Sequence, residues 1–129
     1  MNGWPFVHFV PEEFACKCCG LMVVDFDLLQ MVEDVRTELG VPFVITSGTR
    51  CPNHNAEVGG ARASAHLPKG GVSHAVDIKC VNDVLRGKMA EAFYKKGIRR
   101  MEASDMHLHV DNADYLPAPM LKAVVFRKS

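Results

Sequence analysis

The sequence lacks a charge excess of either sign. Its 15 Lys and Arg residues balance 15 Asp and Glu residues, so the formal net charge is +0. Binding to nucleic acid by counterion release needs a basic surface, and no run of Lys or Arg supplies one. The same balance gives no electrostatic attraction toward anionic membranes. We therefore expect no nucleic acid partner and no electrostatic membrane binding.

Long apolar runs are also missing. No stretch approaches the ~20 apolar residues that a membrane-spanning helix needs. The first residues, MNGWPFVHFVPEEF, lack the basic segment, the apolar run and the cleavage site of a signal peptide. We expect no membrane span and synthesis in the cytoplasm, so any action outside the cell needs another exit route.

An even set of cysteines is missing as well. Five are present, and three of them crowd into Cys16, Cys18 and Cys19. The odd count excludes a complete set of disulfides and favours a reducing compartment. Together with Cys51 and Cys80 they could form a structural zinc site. Read as C-x-C-C, however, the run differs from the usual C-x-x-C knuckle, which favours free thiols or a single disulfide.

The composition that is present suits one globular domain. Hydrophobic residues make up 48% of 129 residues, without repeats or linkers, and we expect a single, monomeric domain over residues 1–129. Apolar spacing predicts one helix from the N-cap Asp25 to Gly40 and another from Asn82 to Gly97. β-rich runs predict strands over residues 41–46, 75–80, 106–111 and 121–126. This order predicts an α+β fold with a small, mostly antiparallel sheet and helices on one side.

The candidate metal ligands are histidines and one carboxylate. His107 and His109 alternate on a predicted strand, so their imidazoles share a face about 7 Å apart. Asp77 is flanked by apolar residues in another strand, and a buried carboxylate is costly unless it is paired or bound to metal. His66 lies in an irregular segment between two strands, a position that favours function. Two imidazoles, a carboxylate and an open fourth position are the catalytic form of a zinc site.

Each of these features also has a plainer interpretation. His107 and His109 could be surface residues on an edge strand, and Asp77 could form a salt bridge with an arginine. Spacing alone therefore leaves the metal site as one option among several.

Seven short motifs occur in order along the chain and strengthen the metal interpretation. They are FACKC from Phe14, ITSGTRCP from Ile45, HN at His54, VGG from Val58, SAH ending at His66, AVDI around Asp77 and HVD from His109. The ordered set resembles the zinc D-alanyl-D-alanine carboxypeptidases, in the compact branch found in phages and bacteria. The wider group includes lysostaphin-type endopeptidases and the hedgehog signalling domain. The resemblance covers nearly the whole chain and implies their α+β fold.

The resemblance implies a role for each residue that matches a family motif. His66, Asp77 and His109 correspond to the three ligands of one catalytic zinc ion. Arg50 corresponds to an arginine that helps hold a substrate carboxylate, which a guanidinium can bind with two hydrogen bonds. An ion pair within its own loop is the alternative for Arg50. Ser64, which begins the SAH motif, is expected to contact substrate.

The chain departs from the family pattern at two places that matter. A longer interval before Asp77 puts His74 where relatives carry glycine, so His74 competes with His66 as a ligand. The acidic residue that some branches place three positions before the last histidine is replaced by Met106. The lysostaphin-like branch instead uses the first histidine of an H-x-H pair, which His107 matches, and imidazole suits proton transfer near neutral pH. Asp105 is the second candidate for this proton transfer.

The resemblance implies a zinc metallopeptidase that cuts an amide bond in peptidoglycan stem peptides. Carboxypeptidase action on a terminal D-Ala-D-Ala is the first expectation, with release toward the cell wall by a phage-type route. Endopeptidase cleavage, as in a phage lysin, is the second. A non-catalytic zinc-containing binding or assembly module, as in the hedgehog branch, is the alternative from a different class.

Overall fold

The computed structural model describes residues 3–60 and 64–116. Within them, four strands form one antiparallel sheet in the order β1-β2-β4-β3. The strands are β1 (Val44–Ser47), β2 (Ala75–Lys79), β3 (Arg100–Ala103) and β4 (His107–Asp111). The helices in the same residues are α1 (Phe26–Leu39), α2 (Pro52–Glu57) and α3 (Asp83–Lys95), with a 3-10 turn at Pro11–Phe14. The predicted α+β fold is confirmed.

The two predicted long helices are confirmed together with their end signals. The Asp25 carboxylate accepts a hydrogen bond from the backbone N–H of Leu28 at 3.1 Å, which caps α1. Gly40 ends α1 with a φ of 67°, a left-handed conformation that glycine adopts without a steric cost. The Asn82 side chain caps α3 in the same way, through the N–H of Leu85 at 2.8 Å.

The strand predictions are confirmed in part. β2 and β4 lie within the predicted ranges, whereas β1 begins at Val44, later than predicted. β3 was not predicted, because it has only four residues and two of them, Arg100 and Glu102, are charged and not typical of strands. The strand predicted over residues 121–126 lies outside the described residues.

The two faces of the sheet differ sharply in polarity. One face carries apolar side chains that join α1 and α3 in the main core, and these include Val76, Ile78, Met101, Leu108 and Val110. The opposite face carries the intervening polar residues. Cross-strand pairing places Asp77 next to His109, and His109 next to Glu102. The period of two along each strand therefore buries the core and presents the candidate site on the other face.

None of the helices in the described ranges has the length and apolar character needed to cross a membrane.

Candidate metal centre

The structure brings together the three residues that the resemblance predicts as metal ligands. Asp77 on β2 and His109 on β4 are direct cross-strand partners, and the His109 Nδ1 lies 2.8 Å from the Asp77 Oδ1. His66 comes from the preceding loop and places its Nε2 3.3 Å from the Asp77 Oδ2. One donor atom from each residue lies within 4.8 Å of the others. This is the spacing of a shared metal ion.

The backbone holds the His66 ring in the orientation that a ligand needs. Its Nδ1 donates a hydrogen bond to the carbonyl oxygen of Gly48 at 2.7 Å, so Nε2 is the ring nitrogen that faces the other two residues. Among the described residues the buried Nε2 atom makes no hydrogen bond, although it faces the Asp77 carboxylate. A buried polar atom without a partner is costly, and a cation at this point would satisfy it. The donor set therefore fits a metal ion, and two imidazoles with one carboxylate suit zinc.

His109 is oriented by a buried carboxylate on its own strand. Its Nε2 donates to the Asp111 Oδ2 at 2.7 Å, which directs Nδ1 toward Asp77. The other oxygen of Asp111 accepts from the Arg100 Nε at 2.7 Å and from the Ala113 N–H at 3.1 Å. A carboxylate behind a metal-binding histidine fixes its tautomer and raises its basicity.

The electrostatics of the three ligands are strongly coupled. Burial opposes the charged form of His109, but hydrogen bonds to Asp111 and Asp77 outweigh it and raise the pKa of His109 to about 9. Burial likewise opposes ionisation of Asp77, yet His109 and His66 hold the pKa of that carboxyl well below its ordinary value. His109 thus carries a proton at neutral pH that a metal ion would displace.

Arg50 lies at the side of the centre and is held by its own loop. Its Nε donates to the Ser47 Oγ and its Nη1 to the Asn55 Oδ1, both at 3.2 Å. Its Nη2 lies 3.5 Å from the Asp77 Oδ2. A Cβ at Gly60 would lie 2.1 Å from the Asn55 Oδ1, so the second glycine of the VGG motif leaves room for this arrangement.

An open cleft of about 310 Å³ lies over the three ligands. Six predicted residues line it: Arg50, Ser64, His66, Asp77, His107 and His109. Asp105, the reserve proton acceptor, is not among the described residues that line it. His74 is not in the ligand group, because its Nδ1 pairs with the Asn112 Oδ1 at 3.1 Å and its ring packs on Tyr115. The structure therefore brings His66, rather than His74, to the centre.

Comparison with known proteins agrees with this geometry. A family model described as Peptidase M15 matches residues 7–111. The chain belongs to the M15 peptidase family. The match includes every candidate ligand and ends at Asp111, the carboxylate behind His109. A comparison with curated proteins finds no match to the chain.

Three contributors to this M15 centre were given no role from the sequence. Asp111 lies two residues after His109 on the same strand face, so the alternation of the HVD motif was the signal for it. Glu102 lines the cleft from β3, the strand that was not predicted. Gly48 acts through a backbone carbonyl, which leaves no side-chain signal in the sequence.

Proposed function

We propose that this M15 family member is a zinc metallopeptidase that hydrolyses an amide bond in peptidoglycan stem peptides. One observation carries the proposal: His66 Nε2, Asp77 and His109 Nδ1 converge beneath an open cleft. The opposite nitrogen of each histidine is tied to an oxygen. Three ligands with open space above them are the arrangement of a catalytic zinc site. A closed structural site has no need of the cleft.

The protein residues hold the metal and position the substrate around it. When bound, zinc would supply Lewis-acid polarisation of the scissile carbonyl and an activated water. Asp111 and the Gly48 carbonyl keep the two imidazoles in the ligand tautomer. Arg50, which lines the cleft, binds a carboxylate of the substrate through its guanidinium, and Ser64 contacts the same peptide. A carboxylate anchor suits a substrate that ends in D-Ala, so D-Ala-D-Ala carboxypeptidase action is the specific activity we propose.

We assign the proton transfer to His107. It lines the cleft from the same face of β4 as His109, and the Ser104 Oγ lies 3.0 Å from its Nδ1 and positions the ring. Glu102 is a second titratable group of the cleft, on the strand next to His109. Both can reach a substrate in the cleft, whereas Asp105 does not line it.

Digestion of defined muropeptides tests the proposed activity. The protein is incubated with a stem peptide that ends in D-Ala-D-Ala and with purified cell wall, and the fragments are identified by mass spectrometry. We expect release of D-Ala that stops with a chelator and returns with zinc. Internal cleavage fragments would instead indicate an endopeptidase. No chelator-sensitive cleavage of any stem peptide would overturn the proposal in favour of a binding module.

Three variants test the proton acceptor. His107→Ala should lower kcat by about 10²- to 10⁴-fold with zinc retained, because it removes a general base and no ligand. Glu102→Gln and Asp105→Asn are the comparisons from inside and outside the cleft, and both should reduce kcat less than His107→Ala. Loss of zinc in His107→Ala would make His107 a ligand. A larger loss in Glu102→Gln or Asp105→Asn would move the proton transfer to that residue.

A further inference from the structure

Three of the five cysteines meet where the N-terminal segment crosses the loop after β1. The Sγ atoms of Cys16, Cys19 and Cys51 lie within 4.8 Å of one another. Cys18 lies between Cys16 and Cys19 on the same turn. All are free thiols. We call Cys16, Cys19 and Cys51 the cysteine cluster. Cys80 lies apart from it in the core, where its Sγ contacts the Asn82 carbonyl at 3.4 Å.

The backbone around Cys16 forms a tight turn. The Gly20 N–H donates to the Cys16 carbonyl at 2.8 Å, and the Cys16 N–H donates to the Leu21 carbonyl at 2.7 Å. Gly20 has a φ of 79°, which side-chain-bearing residues rarely adopt. Cys16 and Cys19 stand in C-x-x-C spacing on this turn, the spacing of zinc knuckles. The run from Cys16 to Cys19 thus contains a C-x-x-C pair as well as the C-x-C-C pattern described from the sequence.

Backbone N–H groups point at the sulfur atoms. The Cys51 N–H donates to the Cys16 Sγ at 3.3 Å, and the His54 N–H donates to the Cys51 Sγ at 3.4 Å. Such donors stabilise thiolates, and the thiolate is the form of cysteine that binds metals.

We propose that Cys16, Cys19 and Cys51 bind a structural zinc ion, with Cys18 from the same turn as the fourth ligand, separate from the centre at His66, Asp77 and His109. Tetrahedral zinc with Zn–S bonds of about 2.3 Å places its sulfur atoms about 3.8 Å apart, within the separations of the cluster. Four thiolates close the coordination sphere, as in structural sites. Cys18 and Cys19 are exposed, which gives the ion a path of entry.

The zinc ion would cross-link two segments that already approach very closely. A Cβ at Gly48 would lie 2.3 Å from the Phe14 carbonyl oxygen, and the Thr49 N–H donates to that same oxygen at 2.9 Å. The cross-linked loop also supplies the Gly48 carbonyl that orients His66 and the Arg50 side chain beside Asp77. The thiolate site therefore fixes the position of the loop that supports the cleft.

Metal content of the full chain, purified under reducing conditions, tests the proposal. We expect two zinc ions per wild-type chain by native mass spectrometry and elemental analysis. Asp77→Ala should retain one ion, and Cys51→Ser should also retain one. Cys80→Ser is the matched control, since it removes a buried thiol outside the cluster, and it should keep both ions.

Titration with cobalt(II) identifies the ligands in each chain. The Asp77→Ala chain should show intense thiolate-to-cobalt charge-transfer absorption that saturates at one equivalent. Cys16→Ser and Cys51→Ser should lose this absorption, and Cys80→Ser should keep it. Because the Asp77→Ala chain lacks a ligand of the first centre, this signal does not depend on the proposed peptidase activity.

Three results would overturn the thiolate site. One is a single zinc ion in the wild type that disappears in Asp77→Ala. Another is the absence of thiolate-to-cobalt absorption in the reduced wild type, which decides the question even where a cysteine variant fails to fold. The third is a disulfide within the cluster in a sample protected from oxidation during purification, detected as the loss of two hydrogens by mass.

Discussion

The two groups of metal-binding residue types differ in the elements that hold them. Asp77 and His109 stand on adjacent strands, and His66 is held by a backbone carbonyl, so their donor atoms converge on one point under an open cleft. The cysteine cluster lies on loops, and with Cys18 from the same turn it offers four sulfur atoms. The first arrangement leaves open space above its residues, whereas four thiolates around one ion, as proposed, would leave none.

This difference shows how one fold separates chemistry from cross-linking. Rigid strands position ligands that must keep a vacant coordination position, because small displacements there lower the rate. A closed site tolerates loops, since the ion itself orders them. The Gly48 loop connects the two regions, as it approaches Phe14 on one side and orients His66 on the other.

The largest expected effect is a loss of peptidase activity that leaves the thiolate site intact. Asp77→Ala removes the ligand that contacts both histidines, and it should reduce peptidase activity by about 10³-fold or more, because metal catalysis contributes several kcal/mol. Zinc at the thiolate site should remain. Asp27→Ala, which removes an exposed carboxylate of α1 outside the cleft, is the control and should keep full activity and zinc content. Undiminished activity in Asp77→Ala would show that the centre at His66, Asp77 and His109 is not needed for catalysis.

An intermediate effect tests the support behind a strand-held ligand. Asp111→Asn keeps the shape of the side chain but weakens its hold on the His109 Nε2. We expect a loss of about 10- to 100-fold in zinc affinity at the first centre. Competition with a chromophoric chelator measures this loss. An unchanged affinity would show that the Asp111 contact does not orient the ligand.

The smallest effect, counted per pH unit, is a pH dependence of zinc binding at the first centre. The raised pKa of His109, about 9, means that zinc must displace a proton throughout the neutral range. Zinc affinity should therefore rise about tenfold per pH unit from about pH 6 to about pH 8. The charged His109 stabilises the metal-free fold fully below about pH 6.5, and this contribution disappears as the pH rises through about 9.

The Cys51→Ser chain reports this pH dependence without the thiolate site. A flat profile in that chain would show that His109 is already neutral before zinc binds. Asp111→Asn in the same background should reduce the slope, because the hydrogen bond to Asp111 is the larger of the two that raise the pKa of His109.

Much of the fold follows from local signals, and the exceptions have physical causes. Asp25 and Gly40 mark the ends of α1 through capping chemistry that depends on neighbours in the chain alone. β3 was not predicted because two of its residues, Arg100 and Glu102, are charged and line the cleft. Charged residues lower the strand propensity of the segment that contains them. The candidate ligands were predicted from ordered motifs, whereas the choice between His66 and His74 required the path of the loop between β1 and β2.

The sequence by itself determined the candidate ligand types, the capped helices and the faces of β2 and β4, because these depend on residues a few positions apart. Tertiary structure alone decided which atoms point inward. The Gly48 carbonyl selects the His66 tautomer, Asp111 selects that of His109, and Cys51 joins a turn that lies 35 positions away at Cys16. These contacts pair groups that are distant along the chain, and only the packing of loops against the sheet brings them together.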